Sequence, residues 1–343
     1  MAWRGYARGP RPAITLGFLL LGAALLWRHL HGVDWAALRR VMADMPPGAV
    51  GAACAFTALS YAAYCSFDLL GRRATGHRLE IARVLGIGFV SHASALSLGP
   101  AGAGVRFRLA MRHGLPAHLT AALWLFNVAS NWLGFVVVAG IAFAARAITW
   151  PADWGVGPGA MRWLGTALLA AAVAYVVACR VGRQLSWTLA GVEFKLPSPA
   201  IAMLQCLVSA LNWLLIAGVV HALLRGQAPY ADVLAGVLAS ALALAIIDVP
   251  AGLGVTETVF LTLLCPPVAP ASVLAALVAY RAIYFLGPLL LAAAIYPALE
   301  WGARARPGAP DSESGTVAAD GLSDRRARGV RCRPPAPAVP RPR

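Results

Sequence analysis

The chain has 343 residues, of which 59% are hydrophobic and 13% charged, with a mean hydropathy of +0.69 and a net charge of +15. Because soluble domains carry about 25% charged residues, this composition excludes a soluble globular protein and predicts a polytopic membrane protein. The net positive charge does not indicate nucleic-acid binding, since 9 of the 29 basic residues follow Gly302 and most others lie between apolar segments.

The six cysteines indicate neither a disulfide framework nor a metal site. None of them forms a CxxC pair, and five lie within or at the edge of apolar segments, where a thiol behaves as a small hydrophobic group. We therefore expect no metal and no cofactor.

The chain begins with a short basic segment, residues 1–12, followed by an apolar span at 13–30. This span has the basic flank of a signal peptide, but no small-residue cleavage pattern follows it and Arg28 closes it. We favour an uncleaved membrane anchor, with a cytoplasmic N-terminus before it.

Within a transmembrane domain at 13–300, further stretches of about 20 apolar residues predict full crossings. Together with the first span they give six crossings, near residues 13–30, 48–70, 118–145, 163–180, 199–224 and 271–298. Two other apolar stretches, 84–113 and 233–265, are interrupted by proline and glycine, and each predicts a re-entrant hairpin made of a broken helix.

The interruptions share a sequence. Residues 100–105 (PAGAGV) and 250–255 (PAGLGV) differ at one position of six and lie 150 positions apart. Backbone groups freed by a helix break in hydrocarbon must be received by protein or by a hydrated cavity, so matched breaks in two halves indicate a transporter site. The alternative is a chance coincidence in an alanine- and glycine-rich chain. The predicted break residues are Pro100, Gly102, Gly104, Pro250, Gly252 and Gly254.

The distribution of basic residues supports this topology. With both hairpins re-entrant, 22 of the 29 basic residues fall on one side, which the positive-inside rule makes cytoplasmic, and both termini lie there. Three crossings separate the hairpins, so they enter from opposite faces as an inverted repeat. Two tilted crossings in place of each hairpin would preserve the same sidedness. The tail, 301–343, has seven prolines and little aliphatic content, which predicts disorder.

Two arginines follow the first break. The helix starting at Pro100 directs its N-terminal dipole toward the membrane interior, and Arg106 and Arg108 add positive charge suited to a phosphate. We predict lipid-headgroup contact for both. The alternative is that they snorkel to the cytoplasmic surface and only fix topology.

Three further charges, Asp248, Glu257 and Arg281, lie in or beside apolar segments. An unpaired charge at the bilayer centre costs about 2.5–3.5 kcal/mol, so we expect pairing or hydration, and we predict that all three residues contact the lipid headgroup. Glu257 is interpreted as a cap of its own half-helix, as a proton or cationic-headgroup site, or as both. Arg281 is the expected partner of Glu257 or Asp248, with a second phosphate contact as its alternative.

Three ordered motifs resemble those of the lysylphosphatidylglycerol synthase/flippase transmembrane domain. They are GVRFRL at 104–109 with GL at 114–115, DVPAGLGVTE at 248–257, and YRAIYFLGPL at 280–289. The family patterns are GxVRYRLY with GL, PAGLGVxE and YRxxYYxxPL. The first motif here has Phe107 and Ala110 where the family has tyrosines.

The resemblance implies an all-α flippase-like membrane fold, with headgroup-binding positions at Arg106, Arg108, Glu257 and Arg281. Bifunctional members add a soluble C-terminal domain that transfers an aminoacyl group to phosphatidylglycerol. This chain instead ends in the tail, so it is more similar to stand-alone, YbhN-like members, and we expect no synthase activity.

We therefore expect a bacterial inner-membrane protein that moves a phospholipid, anionic or aminoacylated, between leaflets through a cavity bounded by the two hairpins. One alternative is a lipid-modifying transferase with Asp248 or Glu257 as general base. Another is a non-transporting subunit of a separately encoded lipid synthase. Homo-oligomers are compatible with each.

Overall fold

The computed structural model describes residues 40, 43–145, 157–182, 186–189, 192–246, 254–265 and 267–304. The predicted N-terminal segment and first span, most of the predicted tail, and Asp248, Pro250 and Gly252 lie outside these ranges.

Within the described ranges the chain is almost entirely helical. Ten α-helices, one π-helical segment and a two-stranded hairpin follow in chain order: α1 (Pro47–Thr75), α2 (Ile81–Leu98), α3 (Pro100–Arg112), α4 (Ala117–Ala144), α5 (Pro158–Val181), β1 (Ser186–Leu189), β2 (Val192–Lys195), α6 (Pro199–Leu223), α7 (Tyr230–Ile246), α8 (Val255–Leu264), α9 (Pro270–Tyr280), π1 (Arg281–Leu286) and α10 (Gly287–Arg304).

The predicted all-α membrane class is confirmed. Six apolar segments of the described chain are long enough to cross a membrane: α1, α2, α4, α5, α6 and the continuous stretch Pro270–Gly302. Five of them coincide with predicted crossings. The sixth, α2, is the first arm of the stretch that we interpreted as a re-entrant hairpin.

The first interrupted stretch is a helical hairpin broken at Gly99, one residue before the predicted break at Pro100. The prediction that Gly102 and Gly104 belong to the break is wrong, because both lie inside the return helix. The backbone at Gly99 has φ 58° and ψ −129°, a conformation that favours glycine, and Pro100 begins the return helix. A Cβ at Gly102 would overlap the backbone of Ala95, so α2 and α3 fold tightly against each other. At 1.5 Å per residue, α2 with 18 residues spans about 27 Å and α3 with 13 residues about 20 Å. Only the first arm therefore has the length of a crossing.

The second interrupted stretch also folds back on itself. Its arms, α7 and α8, have 17 and 10 residues, and a Cβ at Gly236 of α7 would lie 2.8 Å from the ring of Phe260 on α8. Both arms are shorter than a typical crossing of about 20 residues. The backbone enters α8 through Gly254, at φ 83°.

The 150-residue spacing extends beyond the six-residue motif. Adding 150 to the first residues of α1, α2 and α4 gives 197, 231 and 267, which lie within three residues of the starts of α6, α7 and α9. Each repeat therefore contains a long helix, a helical hairpin and a further crossing, with α5 and the β-hairpin between the repeats.

That β-hairpin was not predicted. Its two strands pair antiparallel, with Ser186 opposite Lys195, in the segment between the predicted crossings 163–180 and 199–224, for which we predicted no regular structure. The sequence carries a weak signal, since two short runs with β-branched and aromatic residues flank Ala190 and Gly191.

Small residues bring the helices together. A Cβ at Gly134 of α4 would overlap Ser209 of α6, and a Cβ at Gly165 of α5 would lie 2.8 Å from the carbonyl oxygen of Gly140. Close backbone approach at small residues is the usual packing of membrane helices, which have no hydrophobic driving force between them. The scaffold around the two hairpins is therefore tightly packed.

Candidate functional site

A cavity of about 390 Å³ lies between the two hairpins, where the sequence analysis placed it. The end of α2 and Gly99 border it from the first hairpin, α7 and α8 from the second, and α4, α6, α9 and π1 complete the wall. The described lining residues are His92, Ala95, Leu96, Leu98, Gly99, Asn131, Asn212, Trp213, Ile216, Val220, Val237, Ser240, Ala241, Leu244, Thr256, Phe260, Tyr280, Tyr284 and Phe285.

The described wall is aromatic and polar but carries no carboxylate, ammonium or guanidinium group. Its five largest side chains are aromatic: Trp213, Phe260, Tyr280, Tyr284 and Phe285. Five others are polar and carry an imidazole, an amide or a hydroxyl: His92, Asn131, Asn212, Ser240 and Thr256.

Two of the polar lining residues have buried atoms without a hydrogen-bond partner among the described residues. The Nε2 of His92 and the Oγ of Ser240 are such atoms, and the residues are 7% and 5% exposed. Buried polar atoms are almost always hydrogen-bonded to protein or to water. Both atoms belong to residues of the cavity wall.

A hydrogen-bond chain fixes the wall formed by the π-helical segment. The hydroxyl of Ser60 on α1 donates to Oδ1 of Asn212 at 2.7 Å and lies 2.8 Å from the hydroxyl of Tyr284. The hydroxyl of Tyr61 donates to the carbonyl oxygen of Tyr284 at 3.1 Å. π-Helical turns are common at functional sites. Here one places Tyr284 and Phe285 at the cavity, next to Tyr280 at the end of α9.

The first predicted arginine, Arg106, forms a buried ion pair with Asp68. Its two terminal nitrogens donate to the two carboxylate oxygens at 2.5 and 3.2 Å, and both residues are at most 6% exposed. The side-chain amide of Asn127 donates to the same carboxylate at 2.9 Å. The guanidinium fork that we predicted for a phosphate is therefore engaged by Asp68, and the pair joins α3 to α1 and α4.

The second predicted arginine, Arg108, joins the first hairpin to the last helix. It donates from Nε to the hydroxyl of Tyr296 and from a terminal nitrogen to Glu300, each at 2.8 Å. Arg112 adds a second contact to the same oxygen of Glu300, at 3.1 Å. Glu300 is 4% exposed, so α3 is held against the end of α10 by a buried carboxylate.

Glu257 and Arg281 form the ion pair that we expected. One oxygen of Glu257 accepts from Nε and a terminal nitrogen of Arg281, at 3.0 and 2.7 Å. The other oxygen accepts from the backbone N–H of Gly254 at 2.8 Å, so Glu257 caps the start of α8. The capping interpretation and the pairing interpretation of Glu257 are both confirmed.

The predicted headgroup residues are thus distributed over three separate ion pairs, and none of those in the described ranges lines the cavity. Glu257 and Arg281 come closest, because their chain neighbours Thr256 and Tyr280 do line it. Asp248, Pro250 and Gly252 lie outside the described residues. Headgroup binding by these side chains stays a prediction.

Sequence reasoning missed the partners of the two arginines. Asp68 lies within the predicted span 48–70, and an ionisable residue inside a membrane helix is by default a candidate functional residue, so this signal was present. Glu300 and Tyr296 had no comparable signal, because Glu300 lies beyond the predicted end of the last crossing and tyrosine is common in membrane helices.

The ion pairs also bring the ends of three helices close together. Asp68 lies near the end of α1, Arg106 and Arg108 lie in the second half of α3, and Glu300 lies near the end of α10. These three helices therefore end on one side of the molecule. With both termini cytoplasmic, the predicted crossings also put the ends of these three helices on the cytoplasmic side, so the contacts agree with the predicted topology.

Comparison with known proteins identifies the family. The model of the family described as "Lysylphosphatidylglycerol synthase TM region" matches residues 14–292. The "Inner membrane protein YbhN" of Escherichia coli (strain K12) is 34% identical over 290 residues, which cover 84% of this chain and 91% of the relative. The "Uncharacterized protein slr0712" of Synechocystis sp. is 27% identical over 300 residues, with the same coverage. This chain therefore belongs to the family of the lysylphosphatidylglycerol synthase transmembrane region.

Proposed function

We propose that this protein moves a phospholipid or a modified lipid, such as an aminoacylated one, between the leaflets of the bacterial inner membrane. The observation that carries the proposal is the cavity between two broken-helix hairpins in a multi-pass membrane protein. In this proposal the chain is a transporter rather than an enzyme, and its partner is membrane phospholipid.

The size and chemistry of the cavity support transport of a headgroup. Ligand pockets usually measure about 300–1,000 Å³, and this cavity of about 390 Å³ lies at the lower end of that range. It holds a headgroup, while acyl chains remain in the bilayer. Its hydroxyl, amide and imidazole groups replace part of the water that a polar headgroup loses on leaving the membrane surface.

The repeat suggests how the cavity opens alternately to the two sides of the membrane. The segments α4, α5 and α6 are each long enough to cross, so an odd number of crossings separates the two hairpins, and the hairpins then enter from opposite faces. Each hairpin shields the cavity from one side, and movement of one hairpin at a time gives alternating access.

A liposome experiment tests this function. Exchange of fluorescent phosphatidylglycerol and lysylphosphatidylglycerol between leaflets is measured for the wild type, for Ala241→Phe and for Ala245→Phe. Ala241 lines the cavity, whereas Ala245 is exposed on the same helix, so the two variants add the same side chain inside and outside the cavity. We expect exchange in the wild type and Ala245→Phe, and loss of most of it in Ala241→Phe.

The other outcomes are decisive as well. No exchange of either lipid by folded wild-type protein contradicts the proposal for these lipids. Equal exchange in both phenylalanine variants shows that lipid moves by another route. Chemical modification of the lipid by the reconstituted protein would instead favour a transferase, and capture of a synthase by an exchange-inactive protein would favour a subunit role.

A labelling experiment tests the opposite orientation of the repeats. Single cysteines replace Ala117, after the first hairpin, and Gln227, before the second, in a cysteine-free chain; both positions are exposed. We expect an impermeant thiol reagent to label Ala117→Cys only from the cytoplasm and Gln227→Cys only from outside. Labelling of both from the same side would exclude the inverted repeat.

A further inference from the structure

The arginines that we predicted to bind a headgroup are already engaged. Arg106, Arg108 and Arg281 each hold a carboxylate at 2.5–2.8 Å, and none of these side chains lines the cavity. A charged headgroup placed in this cavity would lose its water without gaining an opposite charge from the described wall, which is strongly unfavourable.

The cavity instead offers neutral hydrogen-bonding groups. The hydroxyl of Ser240 can both donate and accept a hydrogen bond, and the imidazole of His92 belongs to the same wall. Asn131 and Thr256 add an amide and a hydroxyl to the lining. Such a set matches a ligand with several hydroxyl groups, because each ligand hydroxyl also donates and accepts.

The aromatic wall fits the same ligand. Tyr280 and Tyr284 are stacked, with ring centroids 5.3 Å apart, and Phe285 stands edge-on to Tyr280 at 5.5 Å. Together with Trp213 and Phe260 they provide a broad apolar surface. The C–H faces of a polyol or a sugar pack on such a surface while its hydroxyl groups reach the polar side chains.

We propose that the cavity binds the uncharged, hydroxyl-rich part of a lipid headgroup, of the glycerol or the sugar type. The inference deepens the proposed transport function by naming the chemistry of the transported headgroup, but binding can be measured without transport. Where the lipid has a linking phosphate, that phosphate lies at the cavity edge near Gly99, where the N-terminus of α3 favours an anion.

Lipid retention tests the inference. Full-length protein is equilibrated with an equimolar mixture of five lipids with identical acyl chains, and the bound lipid is quantified after purification. The lipids are phosphatidylglycerol, phosphatidylpropanol, phosphatidylcholine, lysylphosphatidylglycerol and glucosyl diacylglycerol. Phosphatidylpropanol has the charge of phosphatidylglycerol without its two free hydroxyl groups, so the ratio of these two lipids reports hydroxyl recognition alone.

We expect about fivefold more phosphatidylglycerol than phosphatidylpropanol to be retained, as one or two net hydrogen bonds imply. Strong retention of glucosyl diacylglycerol as well assigns the site to sugars in general, whereas its absence assigns the site to glycerol. Equal retention of phosphatidylglycerol and phosphatidylpropanol, or preference for phosphatidylcholine or lysylphosphatidylglycerol, overturns the inference.

Two serine variants locate the site. Ser240 and Ser91 are both buried helical serines without a described partner, at 5% and 2% exposure, but only Ser240 lines the cavity. Ser240→Ala is expected to reduce the retention ratio to about twofold or less, whereas Ser91→Ala leaves it unchanged. Equal effects of both variants would contradict a site in this cavity.

Leaflet exchange in the same preparations separates this inference from the proposed function. Hydroxyl-dependent retention without any exchange supports the binding site and contradicts transport. Exchange that ignores the headgroup hydroxyl groups supports transport and overturns the inference.

Discussion

The two hairpins carry nearly the same break sequence, but their charges are used differently. In the first hairpin the ionised residues lie far from the break, where Arg106 and Arg108 tie α3 to α1 and α10 through buried carboxylates. In the second, Glu257 lies at the start of the return helix and pairs with Arg281, with side chains 23% and 16% exposed. The first hairpin is therefore fastened at its base and the second near its tip.

This difference indicates which part of the molecule moves. Buried pairs resist separation, because breaking one leaves an uncompensated charge, whereas a partly hydrated pair separates at lower cost. We expect the second hairpin to be the more mobile of the two and the first to serve as the frame of the cavity.

The largest effect is expected at the base of the first hairpin. Asp68→Ala leaves Arg106 buried without its carboxylate, which costs about 3–5 kcal/mol, so the thermal melting temperature of purified protein should fall sharply. In the double variant Asp68→Leu/Arg106→Met both charges are absent, and most of the stability should return. A double variant as unstable as Asp68→Ala would contradict the assigned pairing.

The next largest effect compares the two breaks. Gly102→Val places a side chain against the backbone of Ala95, and such overpacking costs up to about 3 kcal/mol. Gly254 has open space around its Cβ position but a φ of 83°, so Gly254→Ala costs only the strain of that conformation, about 1–2 kcal/mol. Thermal melting of both variants checks the order, and the reverse order would show that the first hairpin is less tightly packed than described.

A smaller effect separates the two roles of Glu257. Glu257→Ala removes the cap of α8 and the contact to Arg281, with an expected cost of about 2 kcal/mol. Glu257→Gln keeps an acceptor for the N–H of Gly254 and loses only the charge, so we expect about half of that cost. Equal melting temperatures for the two variants would show that the cap contributes nothing.

The smallest effect is expected where α3 of the first hairpin contacts α10. Tyr296→Phe removes only the hydroxyl that accepts from Arg108, while the pair of Arg108 with Glu300 remains. We expect a loss of about 1 kcal/mol in the free energy of unfolding. A loss as large as that of Asp68→Ala would show that the hydroxyl, not the carboxylate, holds α3 against α10.

Parts of the fold and of the site could be predicted from the sequence because they depend on residues that are close together in the chain. A break in the first stretch was predicted from its proline and glycines, although it lies at Gly99 and not within 100–104, and the cap of Glu257 on Gly254 follows from a three-residue spacing. The pairing of Glu257 with Arg281 also needed no structure, since few other charges were available at that depth. The β-hairpin was missed because four-residue strands carry little periodicity.

The sequence by itself determined the membrane class, the positions of five crossings and the two matched breaks, because hydrocarbon excludes unpaired backbone groups and charge wherever they occur. Only the tertiary structure decided that Asp68 holds Arg106, that Glu300 holds Arg108, and that the described part of the cavity wall is neutral and aromatic. Those contacts join residues 38 to 192 positions apart, so they depend on how the helices pack, which no local pattern of residues specifies.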